Sequence, residues 1–326
     1  MPRVTIFFMT GDSEGQKALL GGIHVIDGGL ATELEYQGAR IDGPLWSAHV
    51  LEDEPEKLLA VHRAYIEAGA QCIATCSYQV SRMGYAEVGL TADRADAALL
   101  RSVEISRVAI AEFPGRRVLV AGSLGPYGAS LHNGGEYHGN YACSFDDLVR
   151  FHRERIEVFA NASGPQAPDL LAFETFPSLE EARAVGKVLS DWPDLQAWFS
   201  FSCRDEKHVS HGEPVVDCAA LVATFPQIIA IGVNCVPPQW ISPLIAELRA
   251  ASDKPVLVYP NSGEGWDAER RSWTGNTDPD EFGDRAAEWF RAGAQIVGGC
   301  CRTRPVHIRE VARVAATRQS SSDVSA

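Results

Sequence analysis

Positive charge is scarce in this chain. Lys and Arg number 29 against 43 Asp and Glu in 326 residues, a net charge of −14. The adjacent basic pairs are Arg116-Arg117 and Arg270-Arg271. Nucleic acid and anionic membrane surfaces both demand a positive patch, so neither is an expected partner. No apolar run approaches the ~20 residues that span a bilayer. The apolar run at residues 4–9 is shorter than the roughly 7–15 residues of a secretory core, so the cytoplasm is the expected compartment. Low-complexity linkers and solenoid-type repeats are missing. So are a Gly-x-Gly-x-x-Gly fingerprint and any His-x-His or His-Glu-x-x-His pattern, so the nine histidines receive no metal role. Eight cysteines are too few for a disulfide scaffold at this length. In a reducing compartment, clustered cysteines read instead as metal ligands or nucleophiles.

What is present is an ordinary globular balance, 45% apolar and 22% charged. Eight short apolar runs recur, at 24–27, 72–77, 118–123, 170–174, 197–202, 228–234, 256–259 and 294–297. Near-continuous apolar runs suit strands buried on both faces of a parallel sheet. Helical periods separate them. Pro55 opens one that ends near Gly69; Ser144 with Asp147 opens another; Ser178 with Glu181 has the capping-box pattern. A helix is expected from Thr303 to Arg318. Eight strands alternating with eight helices predict an α/β fold, a single-domain (β/α)8 TIM barrel, with a doubly wound open sheet as the alternative. The expected boundaries are an N-terminal extension over 1–20, partly disordered, the barrel over 21–318, and a disordered tail over 319–326.

The sharpest local feature is Val-Gly-Gly-Cys-Cys-Arg at 297–302, after the last expected strand. Gly-Val-Asn-Cys at 232–235 ends the sixth. In a barrel, strand ends meet at one mouth, so Cys235, Cys300 and Cys301 can converge on one ion. Two small buried hydrophobes, or a vicinal disulfide, remain alternatives for the Cys-Cys pair. Three thiolates suit Zn²⁺ at about 2.3 Å and leave a fourth position open, as catalytic sites do. A negative three-thiolate site is a poor generator of hydroxide; it favours keeping a fourth sulfur nucleophilic, and so alkyl transfer to a substrate thiol. Asp27, in Asp-Gly-Gly-Leu, and Glu174, in Phe-Glu-Thr, end strands one and four and together can bind an α-ammonium group. Asn234 is placed to orient the site through hydrogen bonds or to cap its strand. Two long segments can cover the mouth: 125–143, with Tyr127, His132, Tyr137, His138 and Tyr141, and 261–278, with Trp266 and Trp273. Their rings serve as loop anchors or stack on a cationic donor.

Asp-Gly-Gly-Leu-Ala-Thr-Glu-Leu-Glu, Gly-Ser-Leu-Gly-Pro-Tyr-Gly-Ala, Phe-Glu-Thr, Gly-Val-Asn-Cys, Tyr-Pro-Asn-Ser-Gly-Glu and Gly-Gly-Cys-Cys-Arg occur in that order. Together they resemble the homocysteine S-methyltransferase family over roughly residues 22 to 315. Leu-Trp-Ser-Ala at 45–48 and Ala-Trp-Phe-Ser-Phe at 197–201 point to the S-methylmethionine-dependent branch. The resemblance implies the barrel and one Zn²⁺ per chain on Cys235, Cys300 and Cys301. It implies homocysteine held by Asp27, the Gly28 backbone and Glu174, with Thr75 and Tyr78 near the substrate. Cys76, beside them, is not among the ligands it implies. The implied reaction moves a methyl group from a sulfonium, S-methylmethionine or S-adenosylmethionine, to homocysteine, forming methionine in a monomer. A betaine donor, or a non-catalytic thiol redox or zinc sensor, are the alternatives.

Overall fold

A computed structural model of the chain describes residues 19–41, 49–267, 272–274 and 278–323. The expected N-terminal extension up to residue 18, and the Leu-Trp-Ser-Ala segment, lie outside the described residues. Seven strands form one parallel sheet in chain order. They are β1 (Cys72–Ala74), β2 (Leu119–Leu124), β3 (Leu170–Phe176), β4 (Ala197–Phe201), β5 (Ile228–Asn234), β6 (Val256–Tyr259) and, after an insertion, β9 (Ile296–Val297). Each corresponds to one of the expected apolar runs. The first expected run differs. Residues 24–27 contribute only two bridges, Val25 to Val297 and Ile26 to Cys72, both parallel. The Ile26 amide donates to Val297 O and the Asp27 amide to Cys72 O. This segment therefore ties together the two outer strands, β1 and β9. The insertion between β6 and β9 holds an antiparallel pair that the sequence reading did not anticipate, β7 (Gly265–Asp267) with β8 (Ser272–Thr274).

The side-chain period of two splits the strands into separate packing layers. Val120, Leu171, Phe173, Phe199, Ile231 and Val258 belong to the larger core, against the helices. Leu119, Ala121, Leu170, Ala172, Trp198 and Leu257 form a second cluster on the opposite face. Burial on both faces is what the near-continuous apolar runs require. Helices follow most strands at the expected places. Pro55–Ala68 ends on Gly69 at φ 108, where a left-handed cap favours glycine. Phe145–Ala160 has the full reciprocal capping box of Ser144 and Asp147. The capping box at Ser178 is only half made: its side chain accepts from Glu181 N, but the Glu181 carboxylate is used elsewhere. It takes the Tyr127 amide, the Tyr141 hydroxyl and the His152 ring. The last helix, Pro305–Asp323, continues past the expected end at Arg318 into the stretch expected to be a tail.

Candidate active site

On four of the strands, the face that carries Ala121, Ala172, Trp198 and Leu257 turns polar one period further along. Those next positions are Ser123, Glu174, Ser200 and Tyr259. The polar side chains join into one buried network at the C-terminal ends of the strands. Ser123 Oγ donates to Glu174 Oε2. Tyr259 hydrogen-bonds the same carboxylate and meets Ser200. Ser200 Oγ donates to Asn234 Oδ1 at 2.8 Å. Asn234 Oδ1 also accepts from Thr175 N at 2.8 Å, and its Nδ2 donates to Thr175 Oγ1 at 2.8 Å. This clamp holds Thr175 at φ 64, a left-handed conformation that opposes a β-branched residue. Asn234 is thus an internal brace.

Above the network lies a cavity of about 670 Å³. It contains every residue expected at the site: Asp27, Gly28, Thr75, Tyr78, Glu174 and Asn234, with Cys235, Cys300 and Cys301. The three sulfurs lie within 4.8 Å of one another, and Cys235 Sγ is 3.5 Å from Cys301 Sγ. Cys235 reaches them from a left-handed turn, φ 54, directly after β5, and Arg302 at φ 67 closes the Cys-Cys turn. Two glycine pairs allow the chain segments to meet there. A Cβ on Gly29 would stand 2.4 Å from Cys300 O, and one on Gly299 2.3 Å from Thr303 Oγ1. All eight cysteines are free thiols. Cys76 lies in the cavity wall but outside the cluster.

The electrostatics of the cavity favour cations. Burial pushes the Asp27 carboxyl well above its usual range, with further repulsion from Glu174, although the Ala74 amide donates to Asp27 Oδ2 at 2.8 Å. Burial also pushes Glu174 up to about 7 against the hydrogen bonds of Ser123 and Tyr259. Two desolvated carboxylates in mutual repulsion gain from a shared cation. Within the thiol cluster, bonds with Cys235 and then Cys300 hold Cys301 low, while bonds with Cys235 and Cys301, and then burial, hold Cys300 high. One negative charge is favoured and further ones are opposed, which a bound cation reverses.

The other expected residues divide by role. The Thr75 hydroxyl lies 2.6 Å from Ser77 Oγ and accepts from Ser123 N, so it braces two strand ends. Tyr78 packs its ring over Gly125, where a Cβ would come within 2.6 Å. In the 125–143 segment, Tyr127 and Tyr141 pack together at 5.4 Å and bind Glu181, so they are anchors. Tyr137 and His132 line the cavity, and the Tyr137 hydroxyl is 3.1 Å from Cys235 Sγ. The side chains of Trp266 and Trp273 lie outside the described residues. Sequence reasoning passed over three residues: Tyr259, which bridges Glu174 and Ser200; Arg155, which is buried and donates to Gly125 O and Tyr78 O; and Glu136 of the covering segment. The signal for Tyr259 was available in the alternation of its strand. Nothing in the sequence sets Arg155 apart within the helix that Ser144 opens.

Known proteins match this chain over most of its length. The sequence profile described as Homocysteine S-methyltransferase matches residues 24–315. Homocysteine S-methyltransferase YbgG of Bacillus subtilis is 43% identical over 296 residues, 88% of this chain and 93% of that one. Homocysteine S-methyltransferase of Escherichia coli is 42% identical over 292 residues, covering 88% and 93%. The crystal structure of the E. coli homocysteine methyltransferase MmuM in its metallated form superposes with a TM-score of 0.81 at 40% identity, covering 91% of this chain and 98% of that one. On this match of sequence and fold, the chain belongs to the homocysteine S-methyltransferase family and is a methyltransferase.

Proposed function

We propose that this enzyme transfers a methyl group from a sulfonium donor to the thiol of homocysteine, with Zn²⁺ on Cys235, Cys300 and Cys301. The observation that carries the reading is the convergence of three thiols with two buried carboxyl groups, Asp27 and Glu174, in one cavity. The thiol spacing fits the ion. Tetrahedral ligands at about 2.3 Å place sulfurs roughly 3.8 Å apart, and the sulfurs here span 3.5 Å to at most 4.8 Å. The chemistry such an ion supplies is to favour a substrate thiolate over its thiol at neutral pH, with one coordination position left by three protein ligands.

The chain's own residues do the rest. Asp27 and Glu174 receive the homocysteine ammonium, and the Gly28 backbone approaches its amino-acid end. Ser123 and Tyr259 fix the Glu174 carboxylate, and Asn234 fixes the turn that leads to Cys235. Thr75 and Tyr78 shape the wall. The thiolate lone pair then forms the new S–CH3 bond while the methyl–sulfonium bond breaks, its electron pair passing to the donor sulfur. A neutral thioether leaves, so no general acid is needed, and catalysis rests on positioning.

S-methylmethionine is the preferred donor in this reading, ahead of S-adenosylmethionine. The bridges of residues 24–27 to both outer strands support a sheet closed into a (β/α)8 barrel, with 21–318 as its single unit. The enzyme works as a monomer in the cytoplasm; among the described residues no helix is long and apolar enough to cross a membrane. The test is a donor panel on zinc-loaded protein with homocysteine: S-methylmethionine, S-adenosylmethionine, betaine and methyl-folate in turn. Methionine formed fastest from S-methylmethionine supports the reading; turnover with betaine or methyl-folate alone sinks it.

A further inference from the structure

We propose that Glu136 holds the sulfonium charge of the methyl donor; the inference rests on the sulfonium reading above. Glu136 sits in the short helical turn Gly135–Tyr137 of the segment that covers the cavity. That turn is built, not draped. Gly135 packs against Gly128, where an added Cβ would come within 2.8 Å, and its amide donates to Asn133 Oδ1 at 3.0 Å. Ser202 Oγ donates to Glu136 O at 2.7 Å, and Ser210 Oγ donates to Ser202 Oγ at 2.8 Å. The next residue, Tyr137, places its hydroxyl 3.1 Å from Cys235 Sγ. The backbone of Glu136 is therefore fixed beside the thiol cluster.

Glu136 lines the cavity, and its Oε2 is buried with no hydrogen-bond partner among the described residues. No ion pair of Glu136 occurs among the described residues. The cationic side chain on the same wall, Arg302, pairs with Glu264 at 2.7 Å. A buried, unanswered carboxylate oxygen is unfavourable unless a ligand answers it. Asp27 and Glu174 serve the acceptor ammonium, and Glu35, also on the cavity wall, is exposed, which leaves Glu136. In-line attack puts the donor sulfur one methyl group beyond the nucleophilic thiol, hence close to the cluster and to the Glu136–Tyr137 turn. The donor's own ammonium lies several bonds further away.

The charge balance sets the kinetic signature. Thiolate and sulfonium enter with opposite unit charges and leave as two thioethers. The attraction of Glu136 for the donor is strongest before transfer and fades as the charge is neutralised. Such an interaction lowers the donor KM without raising kcat. It also releases the product, which no longer carries the charge.

The experiment compares Glu136→Gln and Glu136→Asp with wild type, all zinc-loaded. Glu136→Gln should raise the KM for S-methylmethionine at least about tenfold and change kcat less than about threefold. The homocysteine KM and zinc content should stay at wild-type values, which also reports an intact fold. Glu136→Asp, which keeps the charge, should recover part of the loss. Methionine, which has the ammonium but no sulfonium, provides the deciding arm: its inhibition against the donor should be unchanged in Glu136→Gln. An unchanged donor KM, or an equal loss for methionine, overturns the assignment while leaving the methyl-transfer reading intact. A wild-type enzyme that uses no sulfonium donor overturns both, and is recognised before any variant is made.

Discussion

The middle of each strand and its C-terminal end follow opposite rules. In the middle, residues such as Leu171, Phe199, Ile231 and Leu257 are fully buried, apolar and extended. At the ends, within a few residues, stand two buried carboxylates, a thiol cluster and three non-glycine residues in the left-handed region, Thr175, Cys235 and Arg302. Each of those features opposes folding when considered alone. The same strands thus supply stability from one stretch and reactivity from the next. Disturbing the middle should reduce stability, whereas disturbing the ends should reduce chemistry with little effect on the fold.

The largest effect is expected at the ends. Cys235→Ala, Cys300→Ala or Cys301→Ala should each remove bound zinc, from about one ion per chain to a small fraction, and abolish methyl transfer. Elemental analysis beside an activity assay checks this; Cys300→Ala with full zinc and full rate would remove it from the ligand set. In the middle, Gly232→Ala forces a methyl group to within 1.9 Å of Leu257 O. The neighbouring strand has to move, at about 3 kcal/mol or more. Chemical denaturation should show a stability drop that none of the cysteine variants, compared in their zinc-free forms, approaches. A wild-type unfolding midpoint for Gly232→Ala would contradict the division of labour.

A smaller effect separates the ends from each other. Glu174→Gln should weaken homocysteine binding by roughly 1.5–3 kcal/mol, the loss of one charge-assisted bond, with zinc retained. Wild-type homocysteine binding should itself weaken as pH falls through about 7, where Glu174 takes up a proton. Titration calorimetry over pH 6–8 reads both, and an unchanged homocysteine affinity in the variant would exclude Glu174 from the acceptor site. Smaller still is the donor preference. S-methylmethionine should exceed S-adenosylmethionine in kcat/KM at least about tenfold, only ~1.4 kcal/mol of transition-state binding. Equal values would show that the cavity does not discriminate against the adenosyl group.

The two regions were not equally legible in the sequence. Seven of the eight expected strands are strands, because runs such as 228–234 and 256–259 are buried on both faces and carry an unbroken apolar signal. The first run, 24–27, makes only bridges; two glycines follow it, and Asp27 turns its carboxylate to Ala74 N. The β7–β8 pair lies in polar, Gly-rich sequence where no alternation was visible. At the site, Cys235 with Cys300-Cys301, Asp27 and Glu174 were readable because their residue types are rare at strand ends. Glu136 and Arg155 were not. One is an ordinary acid in a loop and the other an ordinary base on a helix, and only folding buries an oxygen of the first and the whole side chain of the second.

The finest distinction concerns stability at the ends themselves. Glu174 has its folded-state pKa raised from 4.5 to about 7 by burial. A carboxyl raised in this way binds its proton more tightly in the folded state. Its contribution to stability is therefore fully present below about pH 4.5 and is lost as pH rises through about 7. Above that, substrate-free protein carries an ionised carboxylate in a desolvated wall. Glu174→Gln removes that charge, and both hydrogen-bond partners, Ser123 and Tyr259, are hydroxyls that can reverse donor and acceptor roles. The amide must still be buried, so only part of the penalty is recovered. Substrate-free Glu174→Gln should melt about 2 °C above wild type at pH 8, with the gap closing toward pH 5, in scans run at matched zinc content. A variant that melts below wild type at both values would mean that the carboxylate is a structural strut, and that the strand ends hold the fold together just as their middles do.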